Sequence, residues 1–432
     1  MDNKLMLGVA RRDITPEVGC NLMGYSPDVV STSINDNLTV TSFVFSYKDT
    51  KAAMISATIL VIDEESCDYL RREINKLCGI PVENILISAI HTHSGPITAS
   101  MPGWGEYNKD YCENILFPRL IEATKEAAEN QKAVEMGIGS GTSYVGINRR
   151  QFNEKNEIVL GQCEWGPFNP QMTVLAFRDE NKNPVANMVH YGCHATGAGS
   201  NTEISRDWPG VMTDRLEAVS GAITAFFNGP EGDVGPRLTN GRTTGLKDVK
   251  YAMEIGAVAA QDAVRIYKTI NNYIHPDLSC AERKLQVKLD PRLPEEYAKE
   301  QLKKFEGMEA INHFAQEKDY YERIIKSYEE GYKDKEFLEI PQVAIRIGDV
   351  AFVGFAYELF SEIGMRINKM SSIGNVLSLA CTNGTTGYFP TESQLPLGGY
   401  EVKMFKTRNL QPYAKNADFN LITETLKNLE QL

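Results

Sequence analysis

Four of the six histidines in the sequence fall into two short clusters. His91 and His93 follow one apolar run, in the segment His-Thr-His-Ser-Gly-Pro, and His190 and His194 lie at the end of another. Histidine is the commonest metal ligand and the side chain that titrates nearest to neutral pH. Because both clusters end apolar runs, we expect them to form the two halves of one site. The remaining two histidines stand alone in polar surroundings and indicate no site: His275 and His313.

Two buried strands must carry these clusters. The apolar run at 84–90 leads directly into His91, and the run at 184–191 ends on His190 and a tyrosine. In α/β sheets, ligands bind at the carboxyl ends of the strands. We therefore expect the site at the ends of these two strands.

The spacing of apolar residues along the chain predicts alternating strands and helices, which is typical of the α/β class. We expect central β-sheets flanked by helices. The predicted strands lie at 41–47, 52–61, 84–90, 134–139, 173–178, 184–191, 222–228, 339–356 and 375–381. The predicted helices lie at 64–78, 109–130, 206–220 and 246–270.

The segment 292–334 is strongly charged and lacks strand signals. We expect one or two exposed helices there, as an insertion. The chain has no repeat of fixed period and no low-complexity linker, so we interpret residues 1–432 as a single domain.

The balance of charge limits the classes of partner. The chain of 432 residues has 57 acidic and 45 basic side chains, a net charge of −12. This argues against a nucleic-acid partner, which would favour a basic face, and against an anionic membrane surface. No stretch approaches the roughly 18 uninterrupted apolar residues of a membrane span, and we expect no secretory signal at the N-terminus.

The eight cysteines are scattered and form no Cys-x-x-Cys pair. We expect reduced, mostly buried thiols and a cytoplasmic location. The expected partner is a small-molecule substrate, and the sequence leaves the oligomeric state open.

Several short motifs occur in a recognisable order. The most specific is His-Thr-His-Ser-Gly-Pro at 91–96. The others are Asp-Ile-Thr-Pro at 13–16 with Met-Gly-Tyr at 23–25, Asn-Arg at 148–149, His-Ala-Thr at 194–196, Gly-Asp-Val-Gly-Pro at 232–236, Tyr-Glu at 357–358, and Gly-Tyr at 387–388 followed by Thr-Glu at 391–392 and Tyr-Glu at 400–401. Together they resemble the catalytic domain of the neutral (non-lysosomal) ceramidases, which are zinc-dependent amidases. The resemblance spans nearly the whole chain and implies their α/β catalytic fold, without the family's C-terminal immunoglobulin-like domain.

The resemblance implies a metal site. It makes His91, His194, Glu358 and Tyr388 the ligands of a zinc ion, although tyrosine is an unusual ligand. Two imidazoles and a carboxylate suit zinc and leave a position open for water or substrate. The apolar residues that flank Glu358 agree with this role, because a carboxylate in such surroundings needs a cationic partner.

The resemblance also implies roles for polar residues around the metal. His93 would stabilise the reacting oxyanion or move protons, Arg149 would bind an oxygen of the substrate or of the tetrahedral intermediate, and Tyr400 would donate a hydrogen bond to the oxyanion. Asp207 would orient a ligand histidine or cap the helix that follows. Gly24 would let the backbone approach the substrate closely.

The chain departs from the family at one position of the site. The family's catalytic serine falls at Gly235, so no hydroxyl stands there. We expect Gly235 to line the substrate site, and Arg237, with Arg206, to clamp a substrate carboxylate. Arg237 is equally plausible as a solvated surface charge. His190 has no counterpart in the family, and we expect a structural role for it.

Without that serine, the simplest chemistry is attack by metal-activated water on an amide, ester or lactone of a small polar molecule. Two alternatives stay open. One is a non-catalytic ligand-binding descendant of the family, which the missing hydroxyl favours. The other is a metal-dependent lyase or isomerase.

Overall fold

The computed structural model describes residues 4–307 and 312–432, and for residues 312 and 313 it describes the backbone alone. Residues 308–311, inside the predicted insertion, and the side chain of His313 lie outside this description. Among the described residues, no helix combines the length and apolar character that a membrane span needs.

The strands alternate with helices along the first half of the chain and pair over long distances. The strands are β1 (Met6–Asp13), β2 (Leu22–Met23), β3 (Ser33–Ile34), β4 (Thr39–Tyr47), β5 (Thr50–Ala57), β6 (Ile85–Ala89), β7 (Gly95–Pro96), β8 (Lys132–Thr142), β9 (Gly146–Phe152), β10 (Ile158–Cys163), β11 (Gln171–Asp179), β12 (Pro184–Tyr191), β13 (Glu203–Ile204), β14 (Ile223–Asn228), β15 (Val234–Pro236), β16 (Tyr273–Ile274), β17 (Leu278–Lys288), β18 (Phe337–Ile347), β19 (Val350–Gly354), β20 (Glu358–Leu359), β21 (Asn375–Leu379) and β22 (Tyr388–Phe389).

The four helices predicted at 64–78, 109–130, 206–220 and 246–270 are found to within a few residues, and the last three helices of the chain were not predicted. The helices are α1 (Glu64–Cys78), α2 (Lys109–Tyr111), α3 (Phe117–Glu129), α4 (Asp207–Ser220), α5 (Lys250–Tyr267), α6 (Glu295–Leu302), α7 (Asn312–Glu329), α8 (Ser361–Met370), α9 (Tyr400–Arg408) and α10 (Ala417–Leu429). A π-helical turn, Cys112–Leu116, joins α2 to α3. The predicted charged insertion contains α6 and α7.

Two large sheets form the centre of the molecule. The first has the strand order β14-β12-β11-β8-β1-β4-β5-β6, with β16 also paired to β8, and the second has the order β17-β18-β19-β21. A small three-stranded sheet has the order β10-β9-β15, and β20 pairs with β22. The predicted single run at 339–356 is in fact two strands, β18 and β19, because Gly348 turns the chain with a φ of 58°.

The core lies between the two large sheets, and helices cover their outer faces. Along β4, Phe43 and Phe45 pack against the second sheet, whereas Val40 and Val44 pack against α1 and α3. This alternation follows from the opposite directions of successive side chains in a strand. Helices α4 and α5 cover the other half of the first sheet, and α8 and α10 cover the second. The predicted class, sheets flanked by helices, is confirmed.

We expect Phe352→Ala to lower the free energy of unfolding by about 3–5 kcal/mol, because it would leave a large cavity between the two sheets. Phe352 is fully buried in β19. Phe419→Ala on α10 is the matched control, since that side chain is 48% exposed. Urea denaturation followed by circular dichroism measures both, and equal effects of the two substitutions would contradict the described packing.

Candidate metal centre and active site

Three of the four clustered histidines, His91, His93 and His194, meet in one group. The ring centroids of His91 and His194 are 4.8 Å apart, and those of His91 and His93 are 5.0 Å apart. The coordinating nitrogens of the three rings lie within 4.8 Å of one another, so the group could hold a metal ion. The predicted convergence of two strand ends on one site is therefore what the structure shows.

The strand ends bring these rings together through backbone contacts. His91 follows β6, and its φ of 67° is unusual for a residue other than glycine. His194 follows β12. A parallel bridge joins Thr92 to Ala195, and the His93 amide donates to the Ala195 carbonyl at 3.3 Å. The two loops thus run side by side at the carboxyl ends of their strands.

Backbone carbonyls determine which nitrogen of each ring carries the proton. The Nδ1 atoms face the carbonyl oxygens of Leu60 for His91 (3.1 Å), Gly24 for His93 (3.2 Å) and Glu231 for His194 (2.8 Å). A carbonyl can only accept, so each Nδ1 carries the proton and each Nε2 offers its lone pair. Neutral imidazoles held in this tautomer are typical of metal ligands.

Glu358 completes the group from the other side. Its Oε2 lies 3.0 Å from the Nε2 of His194 and 3.4 Å from the Nε2 of His91. Burial and the nearby Arg149 lower the pKa of His194 to about 3. A carboxylate oxygen thus faces bare ring nitrogens, an arrangement of acceptors that a cation between them would satisfy.

His93 adds a third available nitrogen. Its Nε2 is buried and has no hydrogen-bond partner among the described residues. Burial, and then His91, lower the pKa of the ring well below its usual value. The predicted assignment of His93 to chemistry rather than to the metal is untested, since all three imidazoles lie close enough to share an ion.

One turn, residues 229–236, positions several members of the group. The His194 amide donates to the Val234 carbonyl at 3.1 Å, and the Gly232 amide donates to Leu359, next to Glu358, at 2.9 Å. A side chain at Gly232 would overlap the Glu358 backbone, so only glycine fits there. The turn therefore holds a histidine and the carboxylate in register.

Asp233 in the same turn ties the small sheet to α8. It accepts from the Ser361 amide at 2.7 Å and from the Asn148 side chain at 3.2 Å, while its carbonyl accepts from the Arg149 amide at 2.8 Å. Burial raises its pKa to about 7. These contacts fix where β9 presents Arg149.

Arg149 and Tyr388 form the second wall of the group. The guanidinium donates to the Tyr388 hydroxyl at 3.0 Å, and Tyr388 pairs directly with Glu358 in the β20–β22 ladder. Burial disfavours the charge of Arg149, but Tyr388 and Glu401 raise its pKa, so it stays charged. Burial, followed by Glu358, raises the pKa of Tyr388 well above its usual value.

A buried ion cluster behind this wall escaped the sequence analysis. Glu401 is fully buried and accepts from Arg149 at 2.9 Å and from Arg150 at 2.6 Å. Arg150 is buried as well, with an exposure of 3%. The available signal was two adjacent cations in a strand, because a buried strand cannot hold both without an acid.

Tyr400 stands at the edge of the group. Its ring centroid is 5.6 Å from that of Tyr388, and the residue is 40% exposed. Burial of the phenol and the nearby Glu358 raise its pKa to about 12, so the hydroxyl keeps its proton at neutral pH. It can therefore donate a hydrogen bond to a molecule that enters the group from solvent.

A family model and several relatives match this chain. The model of the "Neutral/alkaline non-lysosomal ceramidase, N-terminal" family matches residues 5–252, more than half of the sequence. The chain belongs to this family. Neutral ceramidase A of Dictyostelium discoideum is 26% identical over 270 residues, which cover 56% of this chain and 37% of the relative. Neutral ceramidase of Pseudomonas aeruginosa is 24% identical over 289 residues, which cover 60% and 42%.

The fold of the ceramidase family is also found in solved structures. Neutral ceramidase from Pseudomonas aeruginosa superimposes with a TM-score of 0.76 and 19% identity, covering 100% of this chain and 75% of that chain. A ceramidase complexed with C2 gives a TM-score of 0.72 and 18% identity, covering 100% and 76%. In sequence, the chain spans less than half of the length of these curated relatives.

Within this ceramidase-family fold, the contacts of Asp207 agree with the second of its two predicted roles, the helix cap. Its carboxylate accepts from the amides of Gly197 (2.9 Å), Ala198 (2.8 Å) and Trp208 (2.7 Å). It thus caps the start of α4 and holds the loop after His194, whose ring is held by carbonyls instead. Burial raises the Asp207 pKa to about 6.

Gly24 lies directly against the His93 ring. A side chain at Gly24, which has a φ of 131°, would overlap the His93 ring. The absence of a Cβ leaves room for the imidazole, and the Gly24 carbonyl then orients it. Gly235, in β15, packs against Thr243.

The two arginines predicted to clamp a carboxylate are engaged elsewhere. Arg206 binds Asp36 at 2.8 Å and Asp214 at 2.6 Å. Arg237 forms a partly exposed ion pair with Glu164 at 2.8 Å, which agrees with the alternative of a surface charge. Neither contact brings a guanidinium to the histidine group.

A second acidic group lies behind His91. The Cys381 thiol is 3.3 Å from Glu231 Oε1 and 3.4 Å from His91 Nδ1. These three residues also lie close enough to hold an ion. However, the His91 Nδ1 already faces the Leu60 carbonyl, so this nitrogen is a donor and fits a cation poorly.

His190 has the predicted structural position. Its Nε2 lies 2.9 Å from the Ser378 carbonyl, so the ring connects β12 of the first sheet to β21 of the second. Burial lowers its pKa to about 4. The group is therefore neutral in the folded protein at pH values where an unfolded histidine takes up a proton.

We expect the free energy of unfolding to fall less at acidic pH in His190→Gln than in the wild type. Between about pH 6.5 and 4 the unfolded state binds a proton that the folded state does not, so the free energy of unfolding falls as pH falls. From pH 7 to 5, the wild type should lose about 2 kcal/mol more than the variant. Urea unfolding at the two pH values tests this. His275→Gln, on a surface ring, is the control, and an unchanged pH dependence in His190→Gln would refute the assignment.

Proposed function

We propose that this chain is a zinc-dependent hydrolase that cleaves an amide, ester or lactone bond of a small polar molecule in the cytoplasm. The observation that carries the proposal is the convergence of bare Nε2 atoms on the Glu358 carboxylate. His91, His194 and Glu358 would hold the metal, with Tyr388 as the fourth ligand. Imidazole and carboxylate donors suit zinc.

A bound zinc would supply Lewis-acid activation of water and of the substrate carbonyl. The chain's own residues would do the rest. Arg149 and Tyr400 would donate hydrogen bonds to the oxygen on which negative charge develops. His93, with its Nε2 buried and without a protein partner in the described part of the chain, would accept the proton of the attacking water and return it to the leaving group.

The surroundings of the group support a polar substrate and a reducing compartment. Arg149, Tyr388 and Tyr400 offer polar groups along one side of the site. All eight cysteines are free, as expected in the cytoplasm. A cleft of about 1770 Å³ elsewhere, between α1, α3 and α7, is lined by many carboxylates but by none of the three clustered histidines, and we do not assign the reaction to it.

The first test is metal content. We expect the purified wild type to hold one zinc per chain and Glu358→Gln to hold none at stoichiometric level, because an amide does not supply the negative charge that the site needs. Plasma mass spectrometry measures both. Glu362→Gln, a matched change at the start of α8, should keep the metal. A wild type that binds no metal after incubation with zinc would refute the proposal.

The second test is turnover of a panel of N-acetyl amino acids, short lactones, p-nitrophenyl acetate and a short-chain ceramide. We expect the polar substrates to be cleaved, the activity to be lost with a chelator and restored by zinc, and solvent oxygen to enter the product in heavy-oxygen water. Turnover of the ceramide alone would show that the substrate is a lipid amide and not a small polar molecule. Binding without turnover would favour a non-catalytic protein, and products without solvent oxygen would favour a lyase or isomerase.

We expect Tyr400→Phe to lower kcat by roughly tenfold while leaving the metal content unchanged, because it removes one of two donors to the oxyanion. The effect is smaller than for a fully enclosed donor, since Tyr400 is half exposed. Steady-state kinetics on the best substrate of the panel measures it. Tyr144→Phe, at an exposed tyrosine, is the control, and equal kcat values for the two variants would remove Tyr400 from the reaction.

A further inference from the structure

We propose that Thr243 is a further residue of the substrate site and that its hydroxyl binds a polar group of the substrate beside Gly235. The inference rests on the proposed function, because it concerns the same site. It is carried by strand pairing, by packing against Gly235 and by the hydrogen bonds of the segment that contains Thr243.

Strand pairing shows which way Gly235 faces. In the antiparallel pair of β15 and β9, Gly235 lies opposite Ile147, and Val234 lies opposite Asn148. Directly opposed residues share a face, and alternate residues of one strand share a face. Gly235 is therefore on the same face as Arg149, whose guanidinium contacts Tyr388 in the site.

Thr243 covers that face at Gly235. A Cβ placed on Gly235 would lie 2.5 Å from the Thr243 Cβ, 3.1 Å from its Cγ2 and 3.2 Å from its Oγ1. Non-bonded atoms do not approach so closely, so the Thr243 side chain fills the volume that any side chain at 235 would need. The volume beside Gly235 thus contains a hydroxyl, and this hydroxyl is that of Thr243.

The segment around Thr243 is tied to the histidine loop. The Thr196 hydroxyl donates to the Thr243 carbonyl at 2.8 Å, and the Gly245 amide donates to the Thr196 carbonyl at 3.1 Å. Thr196 is two residues beyond His194. The position of Thr243 is therefore fixed relative to a member of the metal group.

The Thr243 hydroxyl is available to a ligand. The residue is only 3% exposed, and its backbone carbonyl, not its hydroxyl, accepts the hydrogen bond from Thr196. The hydroxyl can therefore take a hydrogen-bond partner from a bound molecule. A substrate oxygen or N–H beside the cleaved bond would form a hydrogen bond with this hydroxyl, whereas an alkyl chain would not.

The kinetic test compares Thr243→Val, which keeps the shape and removes the hydroxyl, with Thr243→Ser, which keeps the hydroxyl. On the best polar substrate of the panel, we expect kcat/KM to fall about tenfold in Thr243→Val, as for the loss of one hydrogen bond, and to stay within about threefold in Thr243→Ser. Thr213→Val, at a buried threonine whose hydroxyl bonds within α4, is the matched control. Wild-type kcat/KM in Thr243→Val would overturn the proposal.

A stability cycle tests the packing independently of activity. We expect Gly235→Ser to lower the midpoint of thermal unfolding by several degrees, and Gly235→Ser combined with Thr243→Gly to recover much of that loss, because the second change empties the contested volume. Purely additive effects of the two substitutions would contradict the described contact and the inference with it.

A binding measurement separates failure of this inference from failure of the proposed function. If the wild type hydrolyses none of the probes, the hydrolase proposal fails, and calorimetric titration of the zinc-loaded protein with acetohydroxamate decides the role of Thr243. About tenfold weaker binding by Thr243→Val than by Thr243→Ser supports the contact. Equal binding by the two variants, or the absence of binding to the wild type, overturns it.

Discussion

The geometry of the site depends on the backbone of one turn, residues 229–236. Its carbonyls at Glu231 and Val234 hold His194, its amide at Gly232 holds the strand that contains Glu358, and its carbonyl at Asp233 holds Arg149. Backbone groups cannot rotate away as side chains can, so these contacts fix three distant parts of the chain in one register. The glycine is obligatory, because a side chain at 232 would overlap the backbone at Glu358.

A second constraint is the balance of buried charge. Arg149 and Arg150 share Glu401, which leaves one positive charge in excess within a region of low dielectric constant. The Glu358 carboxylate oxygen lies 3.0 Å from the Nε2 of His194. Burial, and then the excess cation at Arg149, lower the pKa of His194, so the ring stays neutral. The ion cluster behind the wall thus helps to maintain the protonation state that metal binding requires.

The sequence predicted the layers of the fold and the meeting of the histidine clusters, because both depend on local signals. Apolar periodicity places β6 and β12, and residues that follow strand ends are brought to one edge of a sheet. Glu401 was given no role, since its partners lie about 250 residues away and no local pattern pairs them. For Asp207 the sequence left two roles open, and its backbone contacts agree with the helix cap. Gly24 lies against an imidazole edge, and residue type alone does not distinguish such a contact from contact with a ligand.

The role of a residue in the site also depends on which neighbouring side chain fills the space beside it. Residue type at 235 indicated only that a hydroxyl was missing, whereas packing shows that a threonine from a following loop fills the adjoining space. Spacing could not reveal this, because residues 236–245 form a loop whose path has no periodic signal. A site therefore cannot be judged incomplete from the residue at one motif position: side chains from elsewhere in the chain can occupy the same volume.

Backbone strain concentrates around the same group, and it indicates a site that is formed before a ligand binds. His91, Asp207 and Cys381 all have left-handed backbone conformations, with φ values of 67°, 56° and 46°. Each such conformation in a residue other than glycine costs of order 1 kcal/mol and persists only where the surroundings impose it. The His91 amide donates to Ile59 at 3.0 Å and the Cys381 amide to Tyr357 at 3.1 Å, so hydrogen bonds hold two of these residues in place. The free energy needed to arrange the ring nitrogens is thus expended during folding, and a cation that enters meets donors already in position.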